Sequence, residues 1–384
     1  MSVEQIGAVI FCVFIFGVGI LTAINSGKTI IEDTKKGLKN KQTPLTKVVE
    51  NSFNQNIYMH DKYIDGYGFV SKLQGKHFLI DIDDNNNVAK DNNGNLHFVV
   101  KQVDMKPYAD EIESVKQAAD SVGSKFLYVQ TPVKLVEGYA SMPVGVHDYT
   151  KLNTDSLLAM LKARNIGVLD LRKSIGEVNL THAFYTTDHH WQTKTAFWGV
   201  GKAAMILEKY YGINLYKRDK FTNIKYYDVA TYRDSFLGSQ GRRVGKYYAG
   251  VDNYELITPA FETHYTVTIH KSNGAESHTK GSFNDCIVKK NFLEGDDVSI
   301  NRYAAYFGGD YPMVDIGNNG IGNDTKILIL KDSYALPFTA YLSTMVGKIK
   351  MIDKRYYKGS IEEVVKEYQP DVVMYVYKSI NTQK

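Results

Sequence analysis

The last third of the chain alternates short apolar strands with helices, and no other feature of the sequence constrains the fold as strongly. Three runs are apolar and short enough for buried strands: TKILIL (325–330), KIKMID (348–353) and DVVMYVY (371–377). The helix before the last of them begins with a capping box formed by Ser360 and Glu363. This β-α-β-α-β order predicts a parallel sheet that is covered by helices on both faces.

The same alternation occurs earlier in the chain. Helical spacing alternates with short apolar strands over residues 108–123, 125–132, 156–167 and 168–175. A further helix is predicted from Thr193 or Thr195, either of which can cap it, to Tyr210, with Gly212 ending it. We therefore expect the sheet to gain strands from both halves of the chain.

Two other regions predict strands outside this alternation. Residues 76–82 and 96–103 flank a turn-rich connection, which predicts a hairpin. Its Asp and Asn residues lack the Gly and the Glu that a calcium loop needs at its sixth and twelfth places, so a solvated turn is predicted. Residues 215–310 are rich in Tyr, Gly and Asn and then alternate in HYTVTIH (264–270), which predicts an inserted β-rich region.

The N-terminus predicts a membrane anchor. Residues 6–24 are apolar and uncharged, and such a segment is long enough to cross a bilayer as one helix of about 20 residues. We expect an uncleaved anchor over residues 1–24, a Lys-rich stalk over 25–50 and an α/β domain over 51–384. The positive-inside rule alone would place the Lys-rich flank in the cytoplasm, which conflicts with an extracytoplasmic body.

Composition excludes several classes of protein. The net charge is only +4, and without a basic stripe nucleic-acid binding is not expected. Cys12 lies in the anchor and Cys286 stands alone, which excludes an internal disulfide and a Cys-rich zinc site in the body. The 28 Tyr residues have a flat apolar face with a polar tip, which suits a sugar-binding surface as well as the filling of strands.

One serine occupies a position that suits a nucleophile. Ser333 follows the strand ILIL and precedes a helix, so it lies at the carboxyl edge of the predicted sheet, beside unpaired helix N–H groups. A serine nucleophile needs a base and a group that orients the base. In FYTTDHHW (184–191), an extended chain would point Asp188 and His190 the same way, and together with Ser333 these would form a catalytic triad.

The same residues allow other interpretations. A serine between a strand and a helix is often only an N-cap. Asp188 and His190 could be a hydrogen-bonded loop pair, or could bind iron with His264 or His270 as a remote ligand. That site needs a third ligand from a region where the sequence assigns no definite helix or strand. No metal or cofactor is therefore predicted.

TTDHHW and the later KDSYA together resemble the DHHW family of bacterial extracytoplasmic proteins. The sequence is similar to the alginate O-acetyltransferase group, whose folds are SGNH-hydrolase-like with the order permuted. The resemblance covers most of residues 50–384, including FLGSQGRRVGKYYAGVDNYELITP (236–259). It implies a triad of Asp188, His190 and Ser333, ester chemistry on cell-surface glycans, often acetyl transfer, and a multipass membrane partner that passes the acyl group outward.

The chain departs from the SGNH pattern at the nucleophile, where Lys331 stands in place of Gly. The substrate or the oxyanion is expected to contact residues near the triad and on the loops after the next two strands: His189, Trp191, Arg355, Tyr356 and Tyr377. A surface pairing of Arg355 with Asp353 is the alternative. Backbone N–H groups of Gly238, Ser239 and Gly241 are further oxyanion candidates.

The sequence as a whole predicts a single-pass membrane protein with an extracytoplasmic body. Its expected activity is O-acyl transfer, with acetyl as the expected group, to a surface polysaccharide through an acyl-serine. A carbohydrate esterase would use the same triad and is the first alternative. The second is a glycan-binding or assembly protein that keeps the fold without catalysis.

Overall fold

The computed structural model describes residues 2–38, 44–80 and 87–378. These form two compact units, Met1–Gly75 and Lys76–Lys384. The first part of the connection predicted as a solvated turn, residues 81–86, lies outside the described residues.

The first unit is helical. Its helices are α1 (Val3–Gly37), α2 (Leu45–Gln55) and α3 (His60–Leu73). Within the described residues, α1 alone is long and apolar enough to cross a membrane. It continues past residue 24 because each added residue gains a hydrogen bond without a new nucleation cost. The predicted stalk is therefore helical in its described part, and the first compact unit ends at Gly75, whereas the sequence predicts that the α/β domain begins at residue 51.

The second unit holds the strands and the remaining helices. The strands are β1 (Phe78–Leu79), β2 (Val88–Lys90), β3 (Leu96–Phe98), β4 (Lys125–Gln130), β5 (Val168–Asp170), β6 (Tyr227–Phe236), β7 (Asp252–Pro259), β8 (Tyr265–His270), β9 (Glu276–Gly281), β10 (Met313–Asn318), β11 (Lys326–Lys331), β12 (Lys348–Ile352) and β13 (Val372–Tyr377). The helices are α4 (Lys106–Ser121), α5 (Thr150–Ala163), α6 (Thr193–Tyr211), α7 (Arg218–Phe221), α8 (Ser239–Val244), α9 (Lys246–Ala249), α10 (Phe283–Cys286), α11 (Ala335–Leu342) and α12 (Ile361–Tyr368).

The main sheet is mostly parallel. Among the described residues its order is β5-β4-β13-β11-β12-β10-β8-β9, and the first five strands run parallel. The prediction of a large α/β sheet is confirmed. The insert differs from the prediction, because its strands β8 and β9 extend the main sheet in antiparallel register while β6 and β7 pair separately. The alternation of HYTVTIH buries Tyr265, Val267 and Ile269, which gives β8 an apolar face for the main core.

Helices cover both faces of the sheet. On β11, Ile327 and Ile329 pack into the cluster that contains α6 and α11, whereas Leu328 and Leu330 pack into the one that contains α4, α5 and α12. All four side chains are fully buried, and each contributes about 1.5–3 kcal/mol by leaving water. This double burial explains why the strand reads as an unbroken apolar run.

The small sheet before α4 differs from the predicted hairpin. The order is β1-β2-β3, all antiparallel, so β2 stands between the two predicted partners. The turn between β2 and β3 is tight because Asp91 accepts hydrogen bonds from the backbone N–H groups of Asn93 and Asn95, both at 2.8 Å.

Candidate active site

Ser333 leaves β11 and precedes α11, but it does not cap the helix. The N-cap position is Tyr334, which makes no side-chain cap. Instead, the Ser333 hydroxyl lies 2.7 Å from Nε2 of His190. The N-cap interpretation therefore does not describe what this hydroxyl does in the structure.

Asp188 reaches His190 through a turn rather than an extended strand. Residues 186–190 form a bend, and the Asp188 carboxylate accepts the backbone N–H of His190 at 3.0 Å. The same oxygen pairs with Nδ1 of the His190 ring. An Asp side chain that takes the N–H two residues on makes a local turn, and this turn aims the ring at the carboxylate. The predicted extended segment was wrong, although the two side chains meet.

The amides predicted for an oxyanion site hold the Asp188 loop instead. Ser239 N–H donates to the second Asp188 oxygen at 2.6 Å, Gly238 N–H donates to the Thr187 hydroxyl at 2.8 Å, and Gly241 N–H donates to the Thr187 carbonyl at 2.7 Å. Only glycine fits at position 238, since a Cβ there would lie 2.6 Å from the Cα and Oδ2 of Asp188. All three N–H groups are already paired, so they have no hydrogen left for an oxyanion.

Asp188 remains ionised in the folded protein. Burial raises its pKa, but the electrostatic interaction with the His190 and His189 rings, together with the hydrogen bonds from His190 and Ser239, outweighs burial and holds the pKa well below the ordinary value. An ionised carboxylate only accepts, so Nδ1 of His190 carries the proton. Nε2 is then free to accept the proton of the Ser333 hydroxyl.

Tyr303 and Trp191 fix the imidazole from behind. The Tyr303 ring stacks on that of His190, with centroids 3.7 Å apart and planes at 12°. Trp191 donates its indole N–H to the Tyr303 hydroxyl and to the Tyr334 carbonyl, both at 3.1 Å. Trp191, which was predicted to contact the substrate or the oxyanion, is fully buried in the structure, where its hydrogen bonds anchor the loop. Tyr303 was missed because the insert offered no local signal for it.

His189 lies at the mouth of the site. About a quarter of its side chain is exposed, its ring centroid lies 3.8 Å from that of His190, and its Nδ1 is 2.8 Å from the Ser239 hydroxyl. Burial and the nearby charge of His190 lower its pKa well below the ordinary value. A neutral ring with an accessible edge is consistent with the predicted substrate contact.

The positive charge of Lys331, which stands where Gly was expected, is neutralised by two aspartate carboxylates. Its side chain is fully buried and its Nζ pairs with Asp310 and, at 3.1 Å, with Asp353. Arg355 binds the same two carboxylates, at 2.9 Å to Asp310 and 2.6 Å to Asp353. The pairing with Asp353, given above as the alternative for Arg355, is thus present, and Asp310 joins it.

The two remaining predicted residues, Tyr356 and Tyr377, make other contacts. Tyr356 is exposed beside Arg355, whose guanidinium is 5.4 Å from the centre of its ring. Tyr377 ends β13, and its carbonyl accepts the N–H of Thr131 at 2.9 Å. Among the described residues, no hydrogen bond or ring contact joins either tyrosine to the proposed triad.

The two histidines considered as remote iron ligands pair with carboxylates. Asp188, His189 and His190 do bring donor atoms within 4.8 Å of one another. However, His264 pairs with Glu262 at 3.1 Å, and His270 pairs with Glu276 and Asp315 at 2.8 Å each. The Asp188 oxygens already accept N–H groups, so the cluster is arranged for hydrogen bonds.

Lys134 is a buried residue of the site that no motif revealed. Its Nζ donates to Oε1 of Gln240 at 2.8 Å and to the Thr186 carbonyl at 3.2 Å, which ties the Asp188 loop to α8. Burial lowers the pKa of Lys134 to about 7, although the nearby carboxylates of Asp188 and Asp252 partly oppose this effect.

This pKa predicts a pH-dependent stability. Between about pH 7 and the ordinary lysine value of 10.5, the unfolded chain binds a proton that folded Lys134 does not, so stability rises with pH. The slope is on the order of 1 kcal/mol per pH unit. In Lys134→Met this contribution disappears. Urea unfolding at several pH values between 7 and 10 measures both slopes, and equal slopes would contradict the assignment. Comparing slopes also removes the constant cost of leaving Gln240 unpaired.

Three solved structures are similar to this chain. PatB1 from Bacillus cereus, carrying a sulfonyl adduct, matches with a TM-score of 0.60 and 19% identity over 78% of this chain and 95% of PatB1. A DHHW family protein from Eubacterium siraeum matches with a TM-score of 0.58 and 17% identity, over 79% and 93%. The O-acetyltransferase domain of Pseudomonas putida AlgJ is also found, with a TM-score of 0.38 and 12% identity, over 78% and 90%.

No family model and no curated protein matches the sequence. At identities below 20%, the first two structures are evidence of a common fold. The resemblance seen in TTDHHW and KDSYA is confirmed at that level: the chain has the fold of PatB1 and of a DHHW family protein.

Proposed function

We propose that this protein is a membrane-anchored O-acyltransferase that modifies a surface polysaccharide through a Ser-His-Asp triad. The observation that carries the proposal is the 2.7 Å contact between the Ser333 hydroxyl and His190, whose other nitrogen pairs with Asp188. A hydroxyl, a base and an orienting carboxylate in this order are the parts that acyl transfer needs.

The geometry supports a two-step reaction. The Ser333 oxygen attacks the acyl carbonyl while Nε2 of His190 takes its proton, and Asp188 stabilises the imidazolium that forms. The donor's leaving group takes that proton from His190 and departs, leaving an acyl-serine. An acceptor hydroxyl then loses its proton to His190 and attacks the ester. The sugar ester forms and the proton returns to Ser333.

The backbone N–H of Ser333 is the best candidate donor for the oxyanion. It donates to no partner among the described residues, and it lies at the turn that leads into α11, near the positive end of the helix dipole. This assignment replaces the amides of the 238–241 segment.

We base the proposed cellular setting on α1 and on the sequence resemblance. The length and apolar character of α1 support an anchor. From the resemblance we propose that the body lies outside the cytoplasm. We place the acyl donor on a multipass membrane partner and assign acetyl as the group. The order Asp188, His190, Ser333 along the chain supports a permuted SGNH-like arrangement of the fold.

A carbohydrate esterase is the second candidate, favoured by one observation. Ser333 is partly exposed, so water has access to an acyl-serine. Detergent-solubilised full-length protein, incubated with a chromogenic acetyl ester with and without oligosaccharides, distinguishes the two. The transferase proposal predicts acetylated sugar. Free acetate alone would indicate an esterase, and no ester cleavage would favour a glycan-binding protein.

A further inference from the structure

A cavity of about 480 Å³ opens at the carboxyl ends of β4 and β5. It lies on the same edge of the main sheet as Ser333, because β4 runs parallel to β13 and β13 runs parallel to β11. Neighbouring strands lie ~4.8 Å apart, so β4 and β11 are separated by roughly 10 Å. Ligands of open α/β sheets collect at this edge, so the cavity stands where a second substrate of Ser333 would lie.

Gln130 connects the cavity to the nucleophile turn. It is the last residue of β4 and lines the cavity, and its side-chain N–H groups donate to the carbonyls of Thr131 and Lys378. The Lys378 N–H in turn donates to Asp332 at 2.9 Å, and Asp332 directly precedes Ser333. A ligand that contacts Gln130 is therefore two hydrogen bonds from the residue beside the nucleophile.

The side-chain oxygen of Gln130 has no hydrogen-bond partner among the described residues. The side chain is 1% exposed, and among the described residues nothing donates to its Oε1. A buried acceptor without a donor costs free energy, and a ligand that supplies one removes that cost. A ligand could satisfy this oxygen only with a hydroxyl or an amide N–H.

The charges of the lining cancel. The net charge of the lining is zero, because three acidic side chains face three basic ones: Glu137, Asp155 and Asp170 against Lys151, Arg172 and Lys173. Arg172 binds Asp170 and Asp155, both at 2.8 Å, and Lys151 binds Asp155 at 3.1 Å. An anionic ligand would gain no net attraction here, whereas a neutral polyhydroxyl ligand finds both donors and acceptors.

Much of the remaining lining is aliphatic. Val133, Val136, Ile175 and Leu180 supply an apolar wall of the kind that covers most of a small-molecule site. The C–H faces of a sugar ring suit such a wall, while its hydroxyls reach the ion pairs and Gln130. The combination favours a neutral sugar over a uronate or a phosphorylated compound.

We propose that this cavity binds the acceptor, and that the acceptor is a neutral glycan. The inference rests on the acyl transfer proposed above. An oligosaccharide seated in the cavity extends along the sheet edge and presents a hydroxyl to acyl-Ser333. The ester bond to Ser333 breaks as the bond to the sugar oxygen forms, and the sugar proton passes to His190 and then to Ser333.

Gly176 offers a way to fill the cavity without disturbing the triad. It lines the cavity, and a Cβ added there meets no heavy atom within 4 Å, so a new side chain at this position starts in open space and Gly176→Trp is the variant chosen to occupy the cavity. Gly322→Trp is the matched control, because Gly322 is exposed, equally open and on no wall of this cavity. Neither glycine has a backbone conformation that disfavours a side chain.

The experiment uses full-length protein and two panels of tetrasaccharides, one of neutral hexose and N-acetylhexosamine chains and one of uronate chains. We expect transfer to members of the neutral panel, an acceptor affinity at least about tenfold weaker in Gly176→Trp, and unchanged transfer in Gly322→Trp. Hydrolysis of the chromogenic ester in water should be equal in all three proteins. Transfer only to uronates, or undiminished transfer in Gly176→Trp, would overturn the inference.

Binding separates this inference from the proposed chemistry. Titration of the same panels into Ser333→Ala protein, followed by ligand NMR, reports the cavity without any turnover. Neutral glycans that bind Ser333→Ala but not Ser333→Ala with Gly176→Trp would support the cavity even if no ester were ever cleaved. If no neutral glycan binds, the cavity assignment is wrong, although ester cleavage by wild-type protein could still support the triad.

Discussion

Replacing Ser333 by alanine is expected to reduce ester turnover by a factor on the order of 10⁴–10⁶, because the acyl-serine can no longer form. Stability should change little, since the hydroxyl caps no helix and loses one hydrogen bond, to His190. That bond is worth about 1 kcal/mol. Initial rates with the chromogenic ester and a urea unfolding curve measure the two effects.

Ser360→Ala is the matched control for this prediction. Ser360 also stands between a strand and a helix, but its hydroxyl accepts the N–H of Glu363 at 3.2 Å and is the N-cap of α12. Its loss should cost about 1 kcal/mol of stability and leave turnover unchanged. If the two variants behave alike in both assays, Ser333 is only structural.

Replacing Asp188 by asparagine should lower kcat by about 10⁴-fold with the fold intact. The amide is nearly the same size, so Ser239 and Gly238 can still pack against it. It has no negative charge, however, so it neither fixes the proton on Nδ1 of His190 nor stabilises the imidazolium. KM should change far less than kcat, because the lost interaction strengthens in the transition state.

Asp315→Asn tests whether any His–Asp pair would give this result. Asp315 lies on β10 and binds His270 at 2.8 Å, a pair that takes no part in the site. Both side chains are partly exposed, so the pair contributes about 0–1 kcal/mol and its loss should leave kcat unaltered. A fall in kcat similar to that of Asp188→Asn would mean that general destabilisation explains both.

The sequence was sufficient to predict the parallel sheet and the edge of that sheet at which Ser333 lies. The run ILIL is buried on both faces, and such runs separated by capped helices leave few alternatives to a parallel sheet. The position of Ser333 at the carboxyl end of β11 followed from that topology. Its contact with a loop far away in sequence was predicted from the chemistry that a serine nucleophile requires.

Other parts of the site could not be predicted, because their partners meet only in the folded chain. In the sequence Lys331 is only a departure from the expected Gly, because nothing there indicates that Asp310 and Asp353 converge on it. Lys134 belongs to no motif, and its partners are a carbonyl and a glutamine side chain. Asp188 and His190 meet through a local turn rather than through the periodicity of a strand.

The central claim is that Ser333 carries the acyl group between donor and acceptor. The most direct measurement is rapid acid quenching of full-length protein during turnover of an acetyl ester, followed by mass-spectrometric mapping of the modified peptide. We expect acetyl on Ser333, accumulating in Asp188→Asn only slowly and in Ser333→Ala not at all. Acetyl on another residue, or turnover with Ser333 never modified, would contradict the account.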